Sequence, residues 1–349
     1  MLPAYGLYTH IRANRIRSAL LLAGLFLLVH VLLFAGALAR QALAGDAYLS
    51  VLLALAWRDF LAAFPFATIA AAAWIAIAWR FHQSIIDAVT GGREVTRKEA
   101  PALYNALENL CISRGIPMPK LKVMESAALN AFATGLSQKQ YAITVTTGLI
   151  DALEPAEMEA VLGHELTHIR NGDVRLMVIA VIIAGVISFI GELIFRNLFR
   201  ADFGRSRGSG SDRKGAGGAV PAIAIAVAMV VLAWLLSQLV RLGLSRTREF
   251  LADAGAVELT RNPDAMISAL RKIEGRGELP GATSAVMEMC VDNPREGFAD
   301  LFATHPSIDR RVEALVRMAG GHDPGPMRIP TPETTPDRGP WTTPASPPA

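Results

Sequence analysis

Four separated apolar runs constrain this chain more than any other feature. Residues 18–39, 60–79, 176–195 and 219–240 are each about twenty residues long and built mostly from Leu, Ala, Val, Ile and Phe. At 1.5 Å per residue a helix of that length crosses the ~30 Å hydrocarbon core of a bilayer. Hydrophobic residues make up 52% of the 349 and charged ones 19%, against about 25% charged in soluble domains. A disordered chain is excluded, and an ordinary soluble enzyme fits poorly. The 34 basic residues nearly cancel the 31 acidic ones, so no nucleic-acid partner is implied and the membrane lipid bilayer is the expected partner. Cys111 and Cys290 lie far apart in sequence, which supports neither a disulfide framework nor a thiolate metal site.

His10, Arg12, Arg15 and Arg17 precede the first run. That run is longer than the about 7–15 apolar residues of a cleaved signal peptide, so it reads as an uncleaved start helix with a cytoplasmic N-terminus. The second run returns the chain to the cytoplasm, in keeping with Arg80, Arg93, Arg97 and Lys98, and Pro65 is positioned to kink it. The third and fourth runs read as a helical hairpin. Its connection, 196–218, carries Arg196, Arg200, Arg205, Arg207, Arg213 and Lys214 against Asp202 and Asp212. Either the hairpin crosses and this basic loop lies outside, against the positive-inside rule, or it is buried against the protein without crossing. The sequence leaves both open. The Gly/Ser-rich residues 204–218 read as flexible, and 320–349, with nine prolines, as a disordered tail.

Outside the N-terminal transmembrane pair (1–80), the hairpin (176–240) and the tail, two globular stretches remain, 81–175 and 241–319. In the first, residues 99–114 place Leu103, Leu107 and Leu110 on one helical face, and Gly115 stops the helix. Residues 120–124 and 141–146 read as strands, with 130–134 a short edge strand between them. A helix then runs from Pro155, suited to a first turn, to about Asn171, with Gly172 placed to cap it.

That helix carries His164-Glu165-Leu166-Thr167-His168. Histidines four apart share one helical face and can reach one ion, and neutral imidazole suits Zn²⁺. Glu165, beside the first histidine, can take a proton from an activated water. A hydrolytic zinc site needs a third protein ligand and an open position. Residues 245–253 offer Glu249 and Asp253, four apart on a helix that follows the fourth apolar run. One can ligate while the other accepts a hydrogen bond from a ligating histidine. The hairpin brings this segment back to the side of His168 whether or not it crosses.

The motifs NAFATG (130–135), VTTGL (145–149), HELTHIRNGD (164–173), SRTREFLAD (245–253) and THP (304–306) together resemble the HtpX-type membrane-bound zinc endopeptidases, relatives of the CAAX prenyl proteases. The resemblance runs from about Asn130 to Leu315. It implies a mainly α membrane protein, with four apolar helices and a gluzincin-like α+β catalytic domain built on a small sheet. It also implies one Zn²⁺ per chain on His164, His168 and Glu249, with Glu165 as general base and Asp253 orienting a ligand histidine. Asn130 would hold an extended substrate backbone, and His305 and Arg311 would contact the scissile carbonyl or the product carboxylate. Implied substrates are misfolded or damaged membrane proteins, in quality control and stress response. The implied location is the bacterial inner membrane, with the catalytic domain facing the cytoplasm. Ser307 stands where the family often has a second proline, which puts the local turn in question. Two rivals are a processing protease for lipidated C-termini, which needs a chamber lined by more spans, and a non-catalytic zinc-stabilised scaffold. Glu165 argues against the scaffold, because structural zinc normally has four protein ligands and needs no base. The oligomeric state is not legible.

Overall fold

A computed structural model describes residues 7–45, 47–179, 182, 217–242, 247–280, 282, 284–287, 289–293 and 305–326. Helices α1 (Leu7–Ala44) and α2 (Leu49–Thr90) form an antiparallel hairpin in which Phe26 meets Phe64 while Phe34 meets Phe60 and Trp57. His30 is buried within it and satisfied on both sides: one ring nitrogen bonds the Phe26 carbonyl at 2.7 Å and the other the Thr68 hydroxyl at 3.1 Å.

α2 is longer than the apolar pattern predicts. It continues for 42 residues, through Pro65 and past Trp79, and ends at Gly91 in the left-handed region (φ 73°). Its last turns persist because sheet contacts replace lipid. Gln83 Nε2 donates to the Thr134 hydroxyl and to the Gln140 carbonyl, both at 2.8 Å. Buried Lys122 donates to Asp87 at 2.6 and 2.7 Å. The expected boundary between membrane pair and catalytic part, at 80/81, therefore falls inside one helix.

The globular part adds β1 (Arg93–Glu94), α3 (Pro101–Arg114), β2 (Lys120–Met124), β3 (Ala131–Thr134), β4 (Ala142–Thr146), α4 (Thr147–Ala152) and α5 (Pro155–Asn171). The sheet order is β1-β2-β4-β3, with β2 and β4 parallel and the other neighbours antiparallel, so β3 is an edge strand as expected. α5 opens with a capping box between Glu154 and Glu157 and ends at Gly172 in the left-handed region (φ 76°). Its central residues 160–169 are all buried, so this is a core helix rather than a surface one.

Residues 173–179 are helical and pack into the main core through Val174, Met177, Val178 and Ile179. The rest of the expected third span lies outside the described residues, apart from Ile182. α6 (Ala219–Leu242) begins beside the α1–α2 turn, where a Cβ on Gly218 would meet the Ala47 carbonyl at 2.1 Å, and packs Ala222 and Ala226 against Leu38, Ala42 and Leu52. α6 thus starts at the end of the bundle remote from the sheet. Among the described residues three helices are long and apolar enough to cross a membrane: Ser18–Ala44, Leu49–Thr90 and Ala219–Leu236.

α7 (Thr247–Thr260), α8 (Pro263–Ile273), the short α9 (Ser284–Met287) and α10 (Ile308–Ala319) complete the fold. Ser307 caps α10, its hydroxyl accepting from Arg310 N at 3.5 Å, so the departure from proline leaves a working N-cap. The first residues of the expected disordered tail, 320–326, are docked. Buried Arg271 of α8 binds Asp323 through two hydrogen bonds at 2.7 and 3.0 Å, and His322 N donates to Asp264. Proline content there signalled disorder, but one buried guanidinium supplies the anchor.

α5 and α7 approach closely over two glycines. A Cβ on Gly163 would lie 3.4 Å from Ala256 Cα, and one on Gly255 would meet Thr167 Cγ2 at 2.4 Å and Oγ1 at 2.5 Å. Gly255→Ala is therefore expected to wedge the two helices apart, costing about 1–3 kcal/mol of stability and weakening metal binding. Thermal unfolding and competitive chelator titration in detergent read both, and wild-type values in each would remove this crossing as the determinant of the site.

Candidate metal centre

α5 carries His164, Glu165 and His168 on consecutive turns, and α7 carries Glu249 and Asp253. All five side chains are buried. The two imidazole Nε2 atoms lie 3.1 Å apart. Glu249 Oε2 is 3.5 Å from His164 Nε2, and Oε1 is 3.7 Å from His168 Nε2. These spacings suit one ion, since ligand atoms about 2.0–2.2 Å from a tetrahedral centre stand about 3.3–3.6 Å from one another. Ligand atoms from these three residues all lie within 4.8 Å of one another.

The opposite ring nitrogens fix the tautomers. His164 Nδ1 lies 2.9 Å from Asp253 Oδ1, and His168 Nδ1 lies 3.1 Å from Asp173 Oδ2. With each Nδ1–H directed at a carboxylate, each Nε2 presents a lone pair to the space beside Glu249. Glu249 Oε2 is buried without a hydrogen-bond partner among the described residues. An orphaned carboxylate oxygen facing two converging imidazole nitrogens fits a divalent cation.

The electrostatics agree. Burial opposes ionisation of Glu249, but His305 and His168 outweigh it and hold the carboxyl well below the usual range. Burial likewise opposes charge on His168, yet Glu249 and Asp173 hold its pKa at about 10, so the pocket favours a positive charge at this ring, a charge that a cation on Nε2 supplies in place of the ring proton. Burial pushes the Glu165 carboxyl up, partly offset by the two histidines, toward the range of a general base.

Arg311 is fully enclosed. It grips Asp253 with Nε at 2.8 Å and Nη2 at 2.6 Å, and its Nη1 donates to the Val291 carbonyl at 2.8 Å. Burial disfavours ionisation of Asp253, but this guanidinium keeps the carboxyl below its ordinary range. His305 also reaches the centre, its Nδ1 3.7 Å from Glu249 Oε1. Asn130 sits just before β3 with its amide fully engaged. Nδ2 donates to the carbonyls of Gly277 and Asp292 at 2.6 and 2.8 Å, and Oδ1 accepts from Ala131 N and Val291 N, both at 3.0 Å. Glu165, Asp253, His305 and Arg311 lie around His164, His168 and Glu249, whereas Asn130 is joined to them through Val291, whose N–H it accepts and whose carbonyl Arg311 binds. Asp173 was missed. Its signal was Gly172, whose left-handed turn folds the next residue back onto His168.

Residues 97–319 match Peptidase family M48. The chain belongs to that metalloprotease family. Among the M48 relatives, the "Protease HtpX homolog" of Bacteroides fragilis (strain YCH46) is 35% identical over 320 residues, covering 89% of this chain and 98% of its own. The "Protease HtpX homolog" of Listeria monocytogenes serotype 4a (strain HCC23) is 36% identical over 319 residues, covering 89% and 100%. The crystal structure of S. mikatae Ste24p resembles 71% of this chain and 56% of its own at 18% identity, with a TM-score of 0.41. Family membership and the apolar helices together make this M48 member a membrane protease.

Proposed function

We propose that this M48 member is a zinc-dependent endopeptidase that hydrolyses peptide bonds of unfolded or damaged membrane proteins. One observation carries the reading: two imidazole lone pairs converge on the orphaned Glu249 oxygen, each ring held from behind by a carboxylate. His164, His168 and Glu249 would hold the ion. Bound zinc supplies Lewis acidity toward water and a peptide carbonyl. Glu165 takes the proton of the attacking water and delivers it to the leaving amine, a relay suited to its raised pKa. Asp253 and Asp173 keep the ligand rings in the metal-binding tautomer. His305 donates toward charge developing on the scissile carbonyl, Arg311 holds the carbonyl beyond it, and Asn130 aligns the substrate strand along β3.

Packing supports a cytoplasmic orientation of the catalytic part. Leu25 and Leu28 of α1 join the core of the catalytic part, while Leu38 and Ala42 pack near the remote turn. The catalytic part therefore sits at the N-terminal end of α1, and the positive-inside preference of Arg12, Arg15 and Arg17 supports placing that end on the cytoplasmic side of an inner membrane. Gly218, at the end of the basic connection, then lies at the outer end of the bundle. The four-ligand requirement of structural zinc and the presence of Glu165 disfavour a scaffold.

Chelation is expected to abolish cleavage of an unfolded membrane protein by the detergent-purified chain, and stoichiometric Zn²⁺ to restore it. Turnover that survives complete metal removal would sink the zinc reading.

A further inference from the structure

As the edge strand, β3 offers its outer backbone groups to any extended chain. The protein itself takes them. Phe132 and Cys290 form an isolated antiparallel bridge, and Val291 N donates to the Ala131 carbonyl at 3.1 Å. Asn130 Oδ1 accepts from Val291 N at 3.0 Å and from Asp292 N at 3.4 Å, while Nδ2 donates to the Asp292 carbonyl at 2.8 Å. Arg311 Nη1 donates to the Val291 carbonyl at 2.8 Å and lies 3.8 Å from Glu249 Oε2, one guanidinium away from the metal ligands. Three elements assigned above to a substrate backbone, the β3 edge, the Asn130 amide and the Arg311 guanidinium, all hold residues 290–292 instead.

We propose that residues 290–292 are a built-in peptide mimic, a strap that occupies the β3 edge beside the metal centre and is displaced when a substrate strand pairs there. The inference rests on the peptidase reading above. Backbone groups make these contacts, so an extended peptide antiparallel to β3 can take them over one for one. Among the described residues the strap forms a single bridge rather than a ladder, which keeps its hold local. Its side chains set the threshold. Cys290 and Val291 are each only 2% exposed, so displacement surrenders apolar burial that an incoming chain must match with its own apolar side chain. The strap thereby admits extended apolar segments, such as an unfolded membrane span presents, and rejects polar ones.

The test uses the full zinc-loaded chain in detergent, carrying Glu165→Gln to stop turnover, and a short valine-rich peptide as probe. With peptide bound, the backbone amides of Val291 and Asp292 are expected to exchange with deuterium at least about tenfold faster. Val291→Pro lacks the N–H that Ala131 and Asn130 accept, and is expected to bind the peptide about tenfold more tightly. Exchange is read in a chain whose strap is unaltered, so it stands even if the proline variant fails to fold. Unchanged protection of Val291 with peptide bound, weaker binding by folded Val291→Pro, or no peptide binding by either chain overturns the strap and leaves these residues a permanent brace. The peptidase reading fails separately, on metal-dependent cleavage by the wild-type chain.

Discussion

Replacing Glu165 by Gln is expected to lower kcat/KM by about 10²–10⁴-fold, the usual contribution of a positioned general base. Bound zinc should stay at about one ion per chain. The two effects separate because the converging ligand atoms belong to His164, His168 and Glu249, and Glu165 is not among them. Gln keeps the shape and polarity of the side chain but cannot accept and release a proton at neutral pH. Initial rates on an unfolded membrane protein and metal analysis of the same preparation read the outcome. Turnover within a few-fold of wild type would refute the base, and loss of zinc would make Glu165 a ligand instead.

Replacing Glu249 by Ala should do the reverse, removing the ion and with it all activity. Changes to residues that merely orient a ligand cost about 10–100-fold in metal affinity, so loss of a ligand itself is expected to exceed ~100-fold. Stability should fall as well. The substitution leaves His168, His305 and Arg311 enclosed without the carboxylate that faced all three. Zinc affinity must therefore be measured on the folded, monodisperse fraction by competition with a chelator. Unaltered affinity there would place the third ligand elsewhere.

Local patterns carried most of the catalytic elements. α5 opens and closes where Pro155 and Gly172 predict, and β2 spans the expected 120–124. Those signals lie in turns and periodicity within a few residues. β1 escaped notice because two exposed residues have no period to read. α2 was cut short because apolar patterning registers lipid contact and is silent where Gln83 and Asp87 grip a sheet. The convergence of His164, His168 and Glu249 was legible because HELTH sets two histidines on one helical face and the hairpin restricts where a third group can come from. What Asn130 and Arg311 touch was not. Their partners at 291–292 come from a stretch with no strand pattern, recognisable only once the chain is folded.

α2 also has a mechanical meaning. From Trp79 to Thr90 the helix rises about 16 Å with no linker between the lipid-facing part and the part that clasps β3 through Gln83. A tethered domain would swivel above the bilayer. This one stands on a mast, so any tilt of the span turns the strand beside the His164–His168 helix with it.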